Sequence, residues 1–243
     1  MMKLANGKSP GRNDVPPDAF KALDDANLLT LFDLFNSYWN EEIDFSEWHE
    51  GLVVPVPKSG DLSDPNKWSG VTLMDLGSKI FSSILCMWLF VIIRKHGVKY
   101  QFGSTPGVGC QDRSFTIKTM LHLRYNHNLP TFIMFADLVK AFDTSNHKLM
   151  VKILDKYGSP PKLRSAIRRV YTENKVRLLI GKTDLSIPFE IGVKQGDSVA
   201  PVVFLFVVMA FAETLEKKWV KKDLHMIRFK RQNNSPPFRR KSN

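Results

Sequence analysis

Four consecutive apolar residues, Phe132 to Phe135, stop one residue short of an aspartate, Asp137, in the stretch "TFIMFADLVKAFDTSNHK". An unbroken apolar strand has no polar face to give to water, so it belongs in a sheet covered on both sides. The next segment, "SNHKLMVKILDKYG", has capping residues at its start, apolar positions at helical spacing and a terminal Gly158. The spacing predicts a strand over Thr131 to Asp137 that leads directly into a helix. Asp137 would then emerge from the end of a buried strand, held rigidly, where a carboxylate suits an oxygen ligand for Mg²⁺. A second acid, Asp143, lies six residues on. The spacing alone leaves two roles open for these acids, metal binding or a capping and solvated role at the helix start.

The rest of the chain reads as a mixture of helices and strands. Asp18 to Trp39 carries Phe20, Leu23, Leu28, Leu31, Phe32 and Phe35 at helical spacing. "GLVVPVPKSGD" reads as a short strand entering a Pro/Gly turn, and Leu76 to His96 as a long helix. Its apolar run, Ile80 to Ile93, is too short to span a bilayer and reads as a buried helix. Lys162 to Tyr171 has helical periodicity, "VRLLIGKTDLSIPFEIGV" alternates as a hairpin turning around Gly181 to Asp184, and a last helix is predicted from Asp197 or Ser198 with Pro201 in its first turn.

With 43% hydrophobic residues among 243, the chain can bury a substantial core. Its two cysteines, Cys86 and Cys110, have no paired spacing, which argues against a disulfide framework or a cysteine zinc site and fits a reducing, intracellular setting, nuclear or cytoplasmic. The N-terminal "MMKLANGKSPGRND" lacks the apolar core of a signal peptide, and no membrane partner is expected. The net charge of +11 is concentrated at the C-terminal end. Lys217 to Asn243 hold ten Lys/Arg against one acid, Asp223, which leaves 25 basic and 23 acidic side chains in the preceding residues. Such an end can hold nucleic-acid phosphates or stand solvated and disordered.

Five segments resemble one family in the same order. "FADLVKAFD" resembles the first catalytic motif of reverse transcriptases, in particular those of non-LTR retrotransposons and group II introns, and "GVKQGDSVAPVVFLF" the motif after it. "GKSPGRNDVPPDAFKAL", "WHEGLVVPVPKSGDLSDPNKWSGVTLMDLGSKI" and "YQFGSTPGVGCQD" resemble the family's three preceding fingers segments. The resemblance implies an α+β right-hand polymerase with a fingers-like region over residues 1–130, part of a palm over 131–217 and a basic, flexible tail over 218–243. It implies RNA template, DNA primer and dNTP as partners, Mg²⁺ as cofactor, and transfer of a nucleotide to a primer 3′-hydroxyl.

Residue by residue, the resemblance makes Asp137 the first metal-binding and catalytic aspartate and Leu138 a carbonyl ligand of the same ion. Phe142 matches the bulky residue that excludes a ribose 2′-hydroxyl. Gln195 and Gly196 match the pair beside the incoming nucleotide. Lys58 and Lys67 are triphosphate contacts by position, and Asp143 keeps a capping or local hydrogen-bond role. Two departures stand out. Ser69 replaces the family's usual triphosphate-gripping Arg, and Ser198-Val199 replaces Pro-Leu. The family's aromatic-x-Asp-Asp hairpin and its thumb have no counterpart here, since the one Asp-Asp pair is Asp24-Asp25. The implied protein is therefore a fragment, inactive in isolation or a nucleic-acid-binding remnant.

Overall fold

The computed structural model describes residues 7, 9–11, 13–96, 109–131, 133, 135, 137–138, 140–180 and 183–220. Along these the elements run α1 (Pro17–Lys21), α2 (Asp25–Trp39), β1 (Glu50–Pro57), β2 (Trp68–Leu73), α3 (Leu76–His96), α4 (Cys110–Asn126), α5 (His147–Lys156), α6 (Pro161–Tyr171), β3 (Lys175–Ile180), β4 (Thr183–Pro188) and α7 (Ala200–Val220). The fold is mixed α/β with one small mixed sheet in the order β2-β1-β3-β4. Two antiparallel hairpins are joined through their first strands, because β1 pairs with β3 in parallel, Leu52 opposite Arg177.

The core lies among the helices. Leu85 and Leu89 of α3, Leu154 of α5, Ile167 of α6 and Val203 of α7 are completely buried and form one cluster. Burying each such side chain is worth roughly 1.5–3 kcal/mol. At one end Tyr38 packs against Trp48 and Phe81 at ring separations of 4.6 and 5.0 Å. The Arg169 guanidinium lies 4.0 Å over the Tyr38 ring and donates to the Ile43 carbonyl at 2.9 Å, which ties α6 to this aromatic group.

The predicted helix over Asp18 to Trp39 is two helices. The chain breaks at residues 22–24, and Asp24 caps α2 by accepting from the Asn27 amide at 2.8 Å. Asn146 rather than Asp143 caps α5, accepting from the Leu149 amide at 2.9 Å. The last helix starts at Ala200, two to three residues later than predicted, because the Val202 and Val203 amides close on the Val199 carbonyl. In α3 the flanks add to the apolar run, giving 21 residues that are long and apolar enough to cross a membrane by length and composition. Phe81, Leu85, Leu89 and Ile93 of that helix belong to the core cluster.

The expected buried strand at Thr131 to Asp137 differs most. Phe132, Met134 and Ala136 lie outside the described residues, and Thr131, Ile133, Phe135 and Asp137 are in no strand. Phe135 is 87% exposed and Ile133 49%. A buried strand needs a neighbour for its amides and carbonyls, and the four strands of the sheet pair with one another instead. Apolar composition supplies the tendency to form a strand, not the partner.

Candidate active site

A single turn, Lys194 to Asp197, is clamped on two sides. The Thr72 amide of β2 donates to the Gln195 carbonyl at 2.6 Å. On the other side the Val193 amide donates to the Phe142 carbonyl at 2.8 Å, and the Gly192 amide to the Ser145 carbonyl at 2.7 Å. These bonds fasten the turn to the loop before α5. His147, the first residue of that helix, donates from Nε2 to the Gly192 carbonyl at 2.7 Å, and burial holds its pKa below the ordinary value. Gly196 sits at φ +116°, and a Cβ built there would stand 2.4 Å from the Thr72 carbonyl oxygen. Only glycine fits this turn.

The result is an open pocket of about 390 Å³ lined by Phe142, Lys194, Gln195, Gly196, Asp197, Ala200 and Pro201. Phe142 is held in place by stacking on Phe204 of α7, with ring centres 4.8 Å apart. Three of the residues singled out in the sequence, Phe142, Gln195 and Gly196, thus share one wall although about fifty positions separate the first from the others. Leu138 lines an adjoining hollow of about 280 Å³ that also reaches Phe204, and Asp137 stands beside it in exposed chain. Lys58 and Lys67 are not in this group. The Lys58 amide donates to the Lys67 carbonyl at 2.7 Å at the far end of the β1-β2 hairpin, roughly 15 Å along the strand from Thr72.

Beneath the pocket lies a buried polar group that sequence reasoning missed. Lys194 is 1% exposed and Asp197 3%, and the Lys194 ammonium donates to Asn174 Oδ1 at 2.5 Å. Burial pushes the Lys194 pKa down to about 8, with Asp197 opposing the change, and burial raises that of Asp197. Charged residues default to the surface in a sequence reading. Only their position on either side of Gln195-Gly196 marked them.

Lys194 makes stability depend on pH. Between about pH 8, where the folded lysine gives up its proton, and 10.5, where an unperturbed lysine does, the unfolded chain binds more protons. Stability therefore rises with pH across that window, by on the order of 3 kcal/mol from this group. Cys86, pushed up to about 11 by burial, and the buried Tyr38 and Tyr171 act in the opposite sense above pH 9. The measurement is therefore the difference between the unaltered chain and Lys194→Met in urea unfolding at pH 8, 9 and 10, which should move in favour of the unaltered chain as pH rises. A difference that stays constant with pH would contradict the assignment.

The profile of the family "Reverse transcriptase (RNA-dependent DNA polymerase)" matches residues 56–230, which include every lining residue of this pocket. The chain belongs to this family. Its sequence is 24% identical over 159 residues to the "Retrovirus-related Pol polyprotein from type-1 retrotransposable element R2" of Popillia japonica, covering 65% of this chain and 22% of that one. It is 24% identical over 216 residues to the type-2 element R2DM polyprotein of Drosophila melanogaster, covering 88% and 20% respectively. It is also 24% identical over 213 residues to the "Putative COX1/OXI3 intron 1 protein" of Saccharomyces cerevisiae, covering 88% and 23%. The chain spans about a fifth of the length of these curated relatives. Its type is that of non-LTR retrotransposons and group II introns.

The family implies a divalent metal, and the residues test poorly against it. Mg²⁺ asks for near-octahedral oxygen donors, with one or two carboxylates plus substrate phosphates. Among the described residues no three His, Cys, Asp or Glu side chains are grouped to hold a metal ion. Asp137 is solvent-exposed, and Asp197 is buried and turned to the Val199 amide at 3.2 Å. Among the described residues these side chains do not form a complete donor set, so no step is derived through a metal.

Proposed function

We propose that this chain is the fingers and part of the palm of a retroelement reverse transcriptase, and that the pocket at Phe142, Gln195 and Gly196 receives an incoming deoxynucleotide beside an RNA template and DNA primer. The observation that supports this reading is the meeting of those three residues around one pocket of about 390 Å³. Phe142 presents a ring face where a ribose 2′-hydroxyl would need space, and its stack on Phe204 prevents it from yielding. Gln195 offers an amide at the rim, and Gly196 leaves backbone open to close approach. Residues 1–130 correspond in this reading to fingers, 131–217 to palm and 218–243 to a basic tail.

The test is equilibrium binding of dUTP and UTP, which differ only at the 2′ position, in Mg²⁺ buffer. The chain should prefer dUTP, and Phe142→Ala should bring UTP to within about threefold of it by removing the ring that crowds the 2′ position. An unchanged preference in the variant, or no binding of either triphosphate, would reject the reading.

A second reading is favoured by the carboxylates. With Asp137 exposed beside the adjoining hollow and Asp197 buried and turned to the Val199 amide, we infer that this chain by itself holds nucleic acid and nucleotide without joining them, Asp137 and the Leu138 carbonyl supplying only part of an Mg²⁺ site.

A further inference from the structure

A hollow of about 970 Å³ lies between α5, α6 and the paired ends of β3 and β4, and none of its lining residues belongs to the pocket at Phe142. Its inner wall is aromatic. His147 packs between Tyr171 and Phe189, with ring centres 5.1 and 6.1 Å away. Burial holds the imidazole pKa below its ordinary value, with the hydrogen bond from Nε2 to the Gly192 carbonyl opposing the change. Phe189 stays partly exposed at the mouth.

Around this wall four cations stand in solvent. Lys148 and Lys152 are one helical turn apart on α5, Arg168 projects from α6, and Lys175 opens β3. Among the described residues none of the four forms an ion pair, although the nearby Arg164 and Arg177 each hold an aspartate. Two acids, Glu173 and Glu190, share the rim and leave a net balance of +2. Cations spread over three elements around an exposed ring face are the chemistry of a single-stranded nucleic acid, phosphates on the charges and a base on the ring. A duplex keeps its base faces stacked inside and would find no use for the aromatic wall.

We propose that this hollow is a second nucleic-acid site, taking a single-stranded segment with phosphates against Lys148, Lys152, Arg168 and Lys175 and one base on Phe189. The site is separate from the pocket proposed for the incoming nucleotide and does not depend on it. It also differs from the C-terminal cluster of basic residues, which begins at Lys217.

The test is fluorescence anisotropy with a labelled uridine octanucleotide from 50 to 200 mM KCl, using the whole chain. The double charge reversal Lys148→Glu with Lys152→Glu should weaken binding at least tenfold and make the salt slope shallower by roughly 1.4, the share of two phosphate contacts on a single strand. Both side chains are exposed, so the fold is not at risk. Phe189→Ala should weaken binding about fivefold or more with the slope unchanged, since stacking carries no charge. The matched reversal Lys217→Glu with Lys218→Glu, on α7 away from the hollow, should cost less than the pair on α5. Equal losses from both pairs would show general surface charge and overturn the proposal. So would unchanged affinity in the α5 variant, or displacement of the octanucleotide by micromolar uridine 5′-monophosphate or by an acidic octapeptide. Binding of dUTP should survive the α5 reversal. Its loss together with octanucleotide binding would merge the two sites and overturn the proposal as well.

Discussion

Alanine at Gly196 is expected to cost the chain about 2–6 kcal/mol, from strain of 1–3 kcal/mol for the backbone and 1–3 for overpacking. The backbone term arises at φ +116°, where a side chain is strained whatever the space around it. The packing term arises because the new Cβ would stand 2.4 Å from the Thr72 carbonyl oxygen, a main-chain atom that cannot swing aside. Thr72 is also the residue whose amide holds the Gln195 carbonyl, so relief of the clash breaks the clamp between β2 and the turn. Gly158→Ala provides the comparison. Gly158 has φ +75° with nothing within 4 Å of its would-be Cβ, so it keeps the backbone strain and lacks the clash. Urea unfolding should place Gly196→Ala well below Gly158→Ala, and nucleotide binding should fall in the first alone. Equal stabilities for the two variants would mean that the turn is not pressed against β2. Since a whole domain retains only about 5–15 kcal/mol, the larger figure approaches global unfolding.

The parts of this fold that were legible in the sequence are those written locally. The helix Leu76–His96 declared itself through its apolar run, α5 through Asn146 at its start and Gly158 after its end, and the β3-β4 hairpin through alternation. The parallel pairing of β1 with β3 was not legible. It joins Glu50 to Lys175 across more than a hundred residues, and no local pattern records a partner so distant. The short strand Trp68–Leu73 escaped for a similar reason, since Ser69 and Gly70 at its centre weaken any strand signal and its place is set by the register against β1. Helix Cys110–Asn126 escaped because it has no buried residue, and so no apolar stripe to announce it.

The candidate site divides in the same way. Phe142, Gln195 and Gly196 could be named from motifs, and the structure sets them around one pocket. What motifs cannot convey is the support beneath it. Lys194 and Asn174 are twenty positions apart and bond only because the β3-β4 hairpin folds back under the turn. The strand expected before Asp137 was argued from composition, and composition says nothing about which neighbour would complete the pairing.

Residues 1–243 by themselves are expected to give no primer extension on an RNA template with either Mg²⁺ or Mn²⁺, about 10³-fold or more below a complete polymerase. Two-metal nucleotidyl transfer needs convergent carboxylates to hold both ions, and the ions contribute several kcal/mol, each 1.36 of which is tenfold in rate. The sequence has a single pair of adjacent aspartates, Asp24-Asp25, and the structure engages it elsewhere. Asp24 is the cap of α2, its Oδ1 accepting from both the Asn27 amide and the Asn27 side chain at 2.8 and 2.9 Å. Among the described residues no three His, Cys, Asp or Glu side chains are grouped to hold a metal ion, and one exposed carboxylate such as Asp137 would not by itself fix the positions of two ions. Extension of a labelled primer, resolved by length, is the measurement. Joining to residue 243 a family segment that carries the aromatic-x-Asp-Asp hairpin should raise incorporation, and Asp137→Ala in that longer chain should abolish it again. Efficient extension by the 243 residues alone, lost on Asp137→Ala, would overturn the expectation and require a second carboxylate within this chain to join Asp137 in holding the ions.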